Sequence, residues 1–582
     1  MFGKVLVANR GEIAVRIIRA LREMGVGSIA VYSDVDRESL HTRLADEAYR
    51  VGPAPATESY LDIEKLLEVA ERSGAEAVHP GYGFLAESAP FARAVGEVGL
   101  VWVGPRSEAI EAMGSKVRSR QIMAEANVPM TPGTRGPVES AGAVSEFAAE
   151  HGYPVAIKAS AGGGGKGFAV AEGEEGAGAA FERAKREGEA YFGDGSVYLE
   201  KYLPDPRHIE IQVVCDRYGN AVHLGERDCS IQRRHQKLVE ECPSPAIDPS
   251  MREEMGQAAI EAAEAVGYDN IGTVEFLVED DAFYFLEMNT RIQVEHPVTE
   301  EVTGIDLVQT GIRIAAGEKL PFAQEDVCWR GHAIEVRINA EDATNNFAPS
   351  PGAVTLYEEP SGPGVRVDSS LRKPGEVLGS YDPLFAKLIV SGATREDALG
   401  RLSRALKEFR IEGIATTLPF FEAILNDEVF VKGAYTTGFI AERLGGLEME
   451  VHPLGGTDAP QEKGSRQVEV EVNGRLFRVK VYGDEVGIGA APAAAGPPPR
   501  RRPRSHTPTP IAENTIAAPM QGTIVKVFIE EGQKVTMDDP ICILEAMKME
   551  SEIRAKRNGV VSEVLVEAGG TVSSGDPLVV LK

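Results

Sequence analysis

Nowhere does the sequence run for about 18 apolar residues, which excludes a candidate transmembrane helix. The N-terminus lacks the basic, apolar and small-residue sections of a secretory signal, so a cytoplasmic protein is expected. Cysteine is scarce. Cys215, Cys229, Cys242, Cys328 and Cys542 stand apart with no CxxC spacing, which excludes a disulfide framework or zinc ribbon and fits a reducing compartment. Basic residues are outnumbered: 61 Lys and Arg face 89 Asp and Glu, a formal charge of −28. Such a surface repels phosphodiester backbones and anionic lipid, so neither nucleic acid nor membrane is expected as a partner. It leaves room for a local basic pocket that takes a small anion. What is present is an ordinary globular balance, 43% hydrophobic and 26% charged over 582 residues. At roughly 150 residues per domain, that length predicts about four domains.

The opening alternates strands with a helix. Lys4–Ala8, Ser28–Tyr32, Ala77–His79 and Val101–Val103 read as buried strands, and Ile13–Met24 as a helix after the turn Asn9-Arg10-Gly11. This predicts an α/β, Rossmann-like domain over residues 1–113. No GxGxxG follows the first strand, so dinucleotide binding there is not expected. Residues 114–330 mix helices with strand pairs, and residues 331–445 form another α+β section with turns at Pro349–Gly352 and Tyr381-Asp382-Pro383. Residues 446–489 hold a hairpin of unread role. A two-residue Asn473-Gly474 turn sets Val470 opposite Phe477 and Glu469 opposite Arg478. Residues 490–512 are rich in Ala, Pro and Arg and read as an extended linker, at about 3.1 Å per residue reaching on the order of 70 Å. Its arginines read as a solvated segment brushing the acidic surface sooner than as a nucleic-acid tail. Residues 513–582 contain a repeat: Gly522, Val527, Gly532, Val535, Asp539, Pro540 and Leu544 recur as Gly559, Val564, Gly569, Val572, Asp576, Pro577 and Leu581. Two copies predict a small two-fold β-sandwich.

Five groups of residues carry chemistry. The first is the run Gly162–Gly167 with Lys166, between strands ending at Lys158 and starting at Phe168. A strand follows it and Lys166 is followed by glycine, so it is neither a dinucleotide fingerprint nor a Walker A loop. It reads as a phosphate-covering flap or as a flexible loop. The second is the strand pair Thr273–Val278 and Phe283–Asn289. A three-residue loop at Asp280–Ala282 places Glu275 opposite Glu287, with Asn289 on the same face, a hard-oxygen set suited to Mg²⁺ or a wet sheet face. The third is Arg291-Ile292-Gln293-Val294-Glu295-His296-Pro297, which can hold an oxyanion and remove a proton or can be a polar loop. The fourth is the charge run Arg227–Glu241, with Gln232, His235 and Lys237; such runs are ordinarily solvated. The fifth is Glu545–Glu550, where Met547 and Met549 flank Lys548 near a hairpin tip.

Together these motifs resemble the α subunit of acetyl-/propionyl-CoA carboxylases, a biotin carboxylase fused to a biotin carboxyl carrier. The resemblance rests on Val7–Ala14, His79–Leu85, Gly162–Gly167, Glu287–Pro297 and Ala546-Met547-Lys548-Met549, and covers about residues 1–445 and 512–582. It implies an α/β and α+β multidomain fold: a Rossmann-like N-terminal domain, an ATP-grasp domain, a biotin carboxylase C-terminal domain and an all-β biotinyl/lipoyl sandwich. It also implies roles. Lys116, Lys158, Gly164, Gly165, Glu200, Lys201, Leu203, His208, Gln232 and His235 would contact ATP. Glu275, Glu287 and Asn289 would hold Mg²⁺ or Mn²⁺. Lys237, Arg291, Gln293, Val294 and Arg337 would bind bicarbonate, with Glu295 the base and Lys237, Arg291 and Arg337 also catalytic. Tyr82 and Arg337 would meet biotin, which Lys548 would carry covalently. The implied partners are a separate carboxyltransferase β subunit, a biotin protein ligase and a second copy of the chain.

Overall fold

The computed structural model describes residues 1–134, 136–160, 167–192, 194–372, 375–450, 465–472, 475–482, 515–518, 522–537, 539–546, 549–555, 557–567, 570–572 and 576–582. The N-terminal strands form a parallel sheet in the order Glu47–Gly52, Gly27–Ser33, Lys4–Val7, Ala77–His79, Val101–Trp102. Glu47–Gly52 escaped the sequence reading because it alternates exposed and half-buried residues at the sheet edge. The helix Gly11–Glu23 buries Ile13, Ala14, Ile17, Ile18 and Leu21, the helical spacing of an amphipathic element packed on a sheet.

The turn before that helix is fastened at both ends. Asn9 Nδ2 donates to the carbonyls of Pro80 and Tyr82 at 2.6 and 2.8 Å, which fixes the loop after Ala77–His79. Gly81 sits there at φ +63°, and a Cβ on it would come within 3.0 Å of Asn9 and Ile13, so only glycine fits. Arg10 makes a two-pronged pair with buried Asp36 at 2.6 and 2.8 Å, and its guanidinium lies 4.2 Å from the ring centre of Tyr381. Tyr381 belongs to the turn foreseen near the C-terminal section, so this contact joins the first and third parts of the chain.

The central sheet is antiparallel and has eight strands, in the order Ala282–Asn289, Asn270–Glu279, Arg207–Cys215, Ala221–Arg233, Gln236–Cys242, His332–Asn339, Leu384–Gly392, Val365–Ser369. It runs without interruption from the middle of the chain into the segment after residue 330, because Gln236–Cys242 pairs with His332–Asn339. A separate three-stranded sheet pairs Val155–Ala159 with Phe168–Ala171 and Val197–Lys201. This is the strand frame expected on either side of the glycine run; residues 161–166, with Gly164 and Gly165, lie outside the described residues.

The hairpin Ser465–Val472 and Arg475–Tyr482 has the expected register, Val470 against Phe477 and Glu469 against Arg478. The linker 490–512 lies outside the described residues. The C-terminal repeat forms two four-stranded sheets that exchange a strand. Pro540–Ala546 and Gly522–Val527 of the first copy share a sheet with Thr571–Val572 of the second, which pairs with Gly522–Val527; Pro577–Leu581 and Gly559–Val564 of the second share a sheet with Lys534–Val535 of the first. Ile524, Ile541, Leu544, Val561, Leu578 and Leu581 close the core between them. Ala546 pairs with Met549 across the hairpin, and Met547 and Lys548 lie outside the described residues.

Replacing Asp36 by Asn leaves the Arg10 guanidinium without its buried counter-charge. The expected cost is on the order of 3 kcal/mol, read as a lower midpoint of the first unfolding transition in urea; an unmoved midpoint contradicts it.

Candidate active site

Two strands and one loop converge on the ammonium group of Lys237, which itself stands on a third strand, Gln236–Cys242. Lys237 Nζ lies 2.5 Å from Glu210, 2.9 Å from Glu275 and 2.6 Å from Glu295. Strand alternation puts these side chains on one face: Glu210 and Glu275 are direct cross-strand partners, as are Gln232 and Lys237. Burial would strip the proton from Lys237, but the three carboxylates outweigh it and hold the lysine well above its ordinary range.

Beneath this group lies Arg227, fully buried. Its Nε donates to Glu210, one terminal nitrogen to Gln212 and Thr299 at 2.7 and 3.0 Å, and the other to Thr273 and Gln293 at 3.2 and 2.7 Å. All five guanidinium N–H donors are therefore engaged. The expectation of a solvated charge run fails here. Arg227 and Lys237 point inward, and only the tip, Arg234 and His235, is exposed. That tip is a two-residue turn with both residues at positive φ, 50° and 66°, without a glycine to relieve it. Backbone strain of this kind, of order 1–2 kcal/mol per residue, is characteristic of functional turns.

Glu275 faces Glu287 as expected, by a different route. The turn has two residues, Asp280 and Asp281, because Glu279 pairs with Ala282; a bulge at Leu286 then restores the register. Asp280 takes φ 53°, which permits the tighter turn. Glu275 is buried, and its Oε1 accepts from Asn289 and Gln293, both at 2.8 Å, as well as from Lys237. His208 Nε2 stands 2.9 Å from its other oxygen. Burial raises the Glu275 pKa, yet Lys237 and His208 prevail and keep it well below the ordinary carboxylate range.

The loop after Asn289 supplies the remaining groups. Arg291 donates to Asn289 Oδ1 at 3.0 Å and to Glu87 at 3.0 Å. Arg337, from the strand His332–Asn339, bridges Glu240 at 2.6 Å and Glu295 at 2.9 Å. Glu295 is buried; desolvation works against its charge, but Lys237, Arg337 and Arg227 hold it ionised, far below the usual range. Glu240 goes the other way: burial, opposed by Arg337 and reinforced by Glu295, pushes it up to about 7.

Other expected residues lie apart from this cluster. Lys158 and Arg120 pair with buried Glu200 at 2.5 and 2.6 Å in the three-stranded sheet. Lys201 closes its strand, and Leu203 is buried just beyond it. Lys116 begins the helix Lys116–Glu125, and its side chain lies outside the described residues. Tyr82 is half-buried, its ring centre 6.0 Å from Lys387 Nζ. Sequence reasoning missed Glu87, Glu210, Arg227 and Glu240 as site residues. The signal for Glu210 was available, a lone acid within the apolar run Ile209–Val214.

Family models match the chain along most of its length: biotin carboxylase, N-terminal domain, at 1–110; carbamoyl-phosphate synthase L chain, ATP binding domain, at 115–323; biotin carboxylase C-terminal domain at 335–442; and biotin-requiring enzyme at 514–581. A biotin-dependent acyl-coenzyme A carboxylase alpha3 subunit from Mycobacterium leprae is 48% identical over 94% of this chain and 94% of its own. The chain belongs to the biotin-dependent carboxylases. It is a biotin carboxylase fused to a biotin carrier domain. One pyruvate carboxylase subunit, from Methanothermobacter thermautotrophicus, is 52% identical, covering 78% of this carboxylase and 92% of its own chain. Among solved structures, the biotin carboxylase domain dimer of Hydrogenobacter thermophilus 2-oxoglutarate carboxylase, with MgADP, ADP and bicarbonate, aligns at TM-score 0.71 and 48% identity. It covers 76% of this chain and 98% of that one. No helix among the described residues is long and apolar enough to cross a membrane.

The raised Glu240 pKa fixes a sign. A carboxyl with a folded pKa near 7, against an ordinary 4.5, binds its proton more tightly when folded, so its charging erodes stability as pH climbs from 4.5 to 7. Glu240→Gln removes that cost, so the variant should gain on the parent in unfolding midpoint between pH 5 and pH 8. A gap that does not widen contradicts the assignment.

Proposed function

We propose that this chain uses ATP and bicarbonate to carboxylate biotin carried on Lys548, for transfer by a separate carboxyltransferase subunit to acetyl-CoA or propionyl-CoA. The observation that carries the reading is Glu295, an ionised buried carboxylate gripped by Lys237 and Arg337 beside Arg291 and Gln293. Bicarbonate is a poor electrophile and gains reactivity as a mixed anhydride with phosphate. Lys237, Arg291 and the Val294 backbone hold it, since a valine side chain offers no polar atom. Glu295 takes its proton as the oxygen attacks the ATP γ-phosphorus, the bond from that phosphorus to the β–γ bridging oxygen breaks, and ADP leaves. As Lys237 turns toward the incoming anion, Glu295 loses part of its cationic shield and becomes a stronger base.

Lys116, Lys158 and the glycine flap with Gly164 and Gly165 would steady the phosphates, Glu200, Lys201 and Leu203 the adenine, and His208, Gln232 and His235 the rest of the nucleotide. Glu275 and Glu287, opposed across the paired strands, with Asn289 beside them, form a hard-oxygen set that fits Mg²⁺ or Mn²⁺ and would offset phosphate charge. The related dimer with MgADP and bicarbonate supports both ligands and a second copy as partner. Biotin, when bound, supplies a ureido nitrogen that accepts the carboxyl group; Tyr82 and Arg337 orient it. A biotin protein ligase loads Lys548, and the reaction runs in the cytoplasm.

The acyl-CoA acceptor is favoured over pyruvate because the acyl-CoA relative aligns through the carrier, over 94% of the chain, whereas the pyruvate relative aligns over 78%. Glu295→Gln should lower bicarbonate-dependent ATP cleavage by about 10²- to 10⁴-fold; turnover near that of the parent rejects the base. Lys548→Arg should remove the biotin-sized mass increment from the C-terminal domain while leaving ATP cleavage driven by free biotin. A retained increment rejects the attachment site.

A further inference from the structure

Lys387 is a fully buried lysine that the functional reading leaves without a task. It sits on Leu384–Gly392, directly across from Arg337 in the antiparallel register, so the two side chains share a sheet face. Arg337 holds the Glu295 carboxylate at 2.9 Å. Lys387 Nζ donates to the carbonyl of Val294 at 2.7 Å, the peptide that joins Val294 to Glu295. Two cations on neighbouring strands thus grip the two ends of one peptide link, Arg337 the side chain of Glu295 and Lys387 the carbonyl of Val294 before it.

The far side of the ammonium is anchored on the N-terminal domain. Glu12, in the first turn of the helix Gly11–Glu23, lies 3.3 Å from it and is itself buried. The Tyr82 ring stands 6.0 Å away, within reach of a cation–π contact. Glu335 and Asp368 add negative potential, and Arg366 opposes it. These carboxylates keep the lysine charged despite its burial. A hydrophobic residue of similar length would fill the space without desolvating a charge. The shortest contact of this charge is a neutral carbonyl of the bicarbonate loop, which marks placement of that loop as its task.

We propose that Lys387, braced by Glu12, is a positioning residue that fixes the Val294–Glu295 peptide and with it the base and the backbone contact to bicarbonate. The proposal rests on the functional reading above and adds a residue to it. It makes Lys387 act on bicarbonate and not on nucleotide, since its contacts go to the Val294 carbonyl, Glu12 and Tyr82, away from Lys158 and Glu200.

The test uses the full chain, with ATP cleavage followed as bicarbonate and MgATP are varied separately in the presence of free biotin. Lys387→Met should raise the KM for bicarbonate and lower kcat, each about ten-fold, a displacement of well under 1 Å being enough, while the KM for MgATP stays within about two-fold of the parent. Glu12→Gln, which keeps the shape and removes the brace, should move the same parameters in the same direction by a smaller factor. It decides the matter if Lys387→Met does not fold. Unchanged bicarbonate parameters in a folded variant, or equal losses for both substrates, overturn the positioning role. A parent chain with no bicarbonate-dependent cleavage overturns the functional reading itself, and the proposal with it.

Discussion

The buried guanidinium of Arg227 is the constraint on which the site depends. Its five donors reach two neighbouring strands, the loop with Gln293 and the helix with Thr299, segments up to 72 residues from it in sequence. Each acceptor would be costly if left unpaired in this interior, so the segments are locked to one another by the sum of their unmet needs. Lys237 sits on top of that frame and inherits its geometry through Glu210, which both cations share.

The balance of charge follows from this arrangement. A chain with a strong acidic excess gathers Lys237, Arg227, Arg291 and Arg337 in one cleft, each matched by carboxylates. The pairing keeps the cations charged and desolvated while no anion is present, and it keeps Glu275 and Glu295 ionised. On the proposed function, an arriving oxyanion would compete with carboxylates for donors already aimed inward, so binding would proceed by exchange of partners. The continuous eight-stranded sheet holds Arg337 and Glu275 on one rigid surface although they come from different parts of the chain. The three-stranded sheet with Lys158 is outside that surface.

Much of the fold was legible in the sequence because it rests on local rules. The parallel strands, the frame of the glycine run, the amphipathic hairpin and the offset from Gly522 to Gly559 are all patterns of short period or exact recurrence. The site was legible where polar residues interrupt apolar strands, as at Glu275. Arg227 was not, because the residues that justify its burial lie on other segments and no window around it differs from a solvated charge run. Lys387 was hidden for the same reason: its partners Glu12 and Val294 belong to different parts of the chain. The bulge at Leu286 was invisible because a tighter turn and an extra strand residue cancel, giving the same pairing by another path.

The strand exchange in the C-terminal sandwich has a consequence for how the protein matures. The sheet that carries the hairpin around Lys548 is completed by Thr571–Val572, which follow that lysine in the chain. Neither half of the repeat can therefore close its core while it emerges alone during translation. On the proposed function, an enzyme that recognises the folded shape would have to wait until both halves have cleared the ribosome, which would tie attachment of biotin to completion of the domain that presents it.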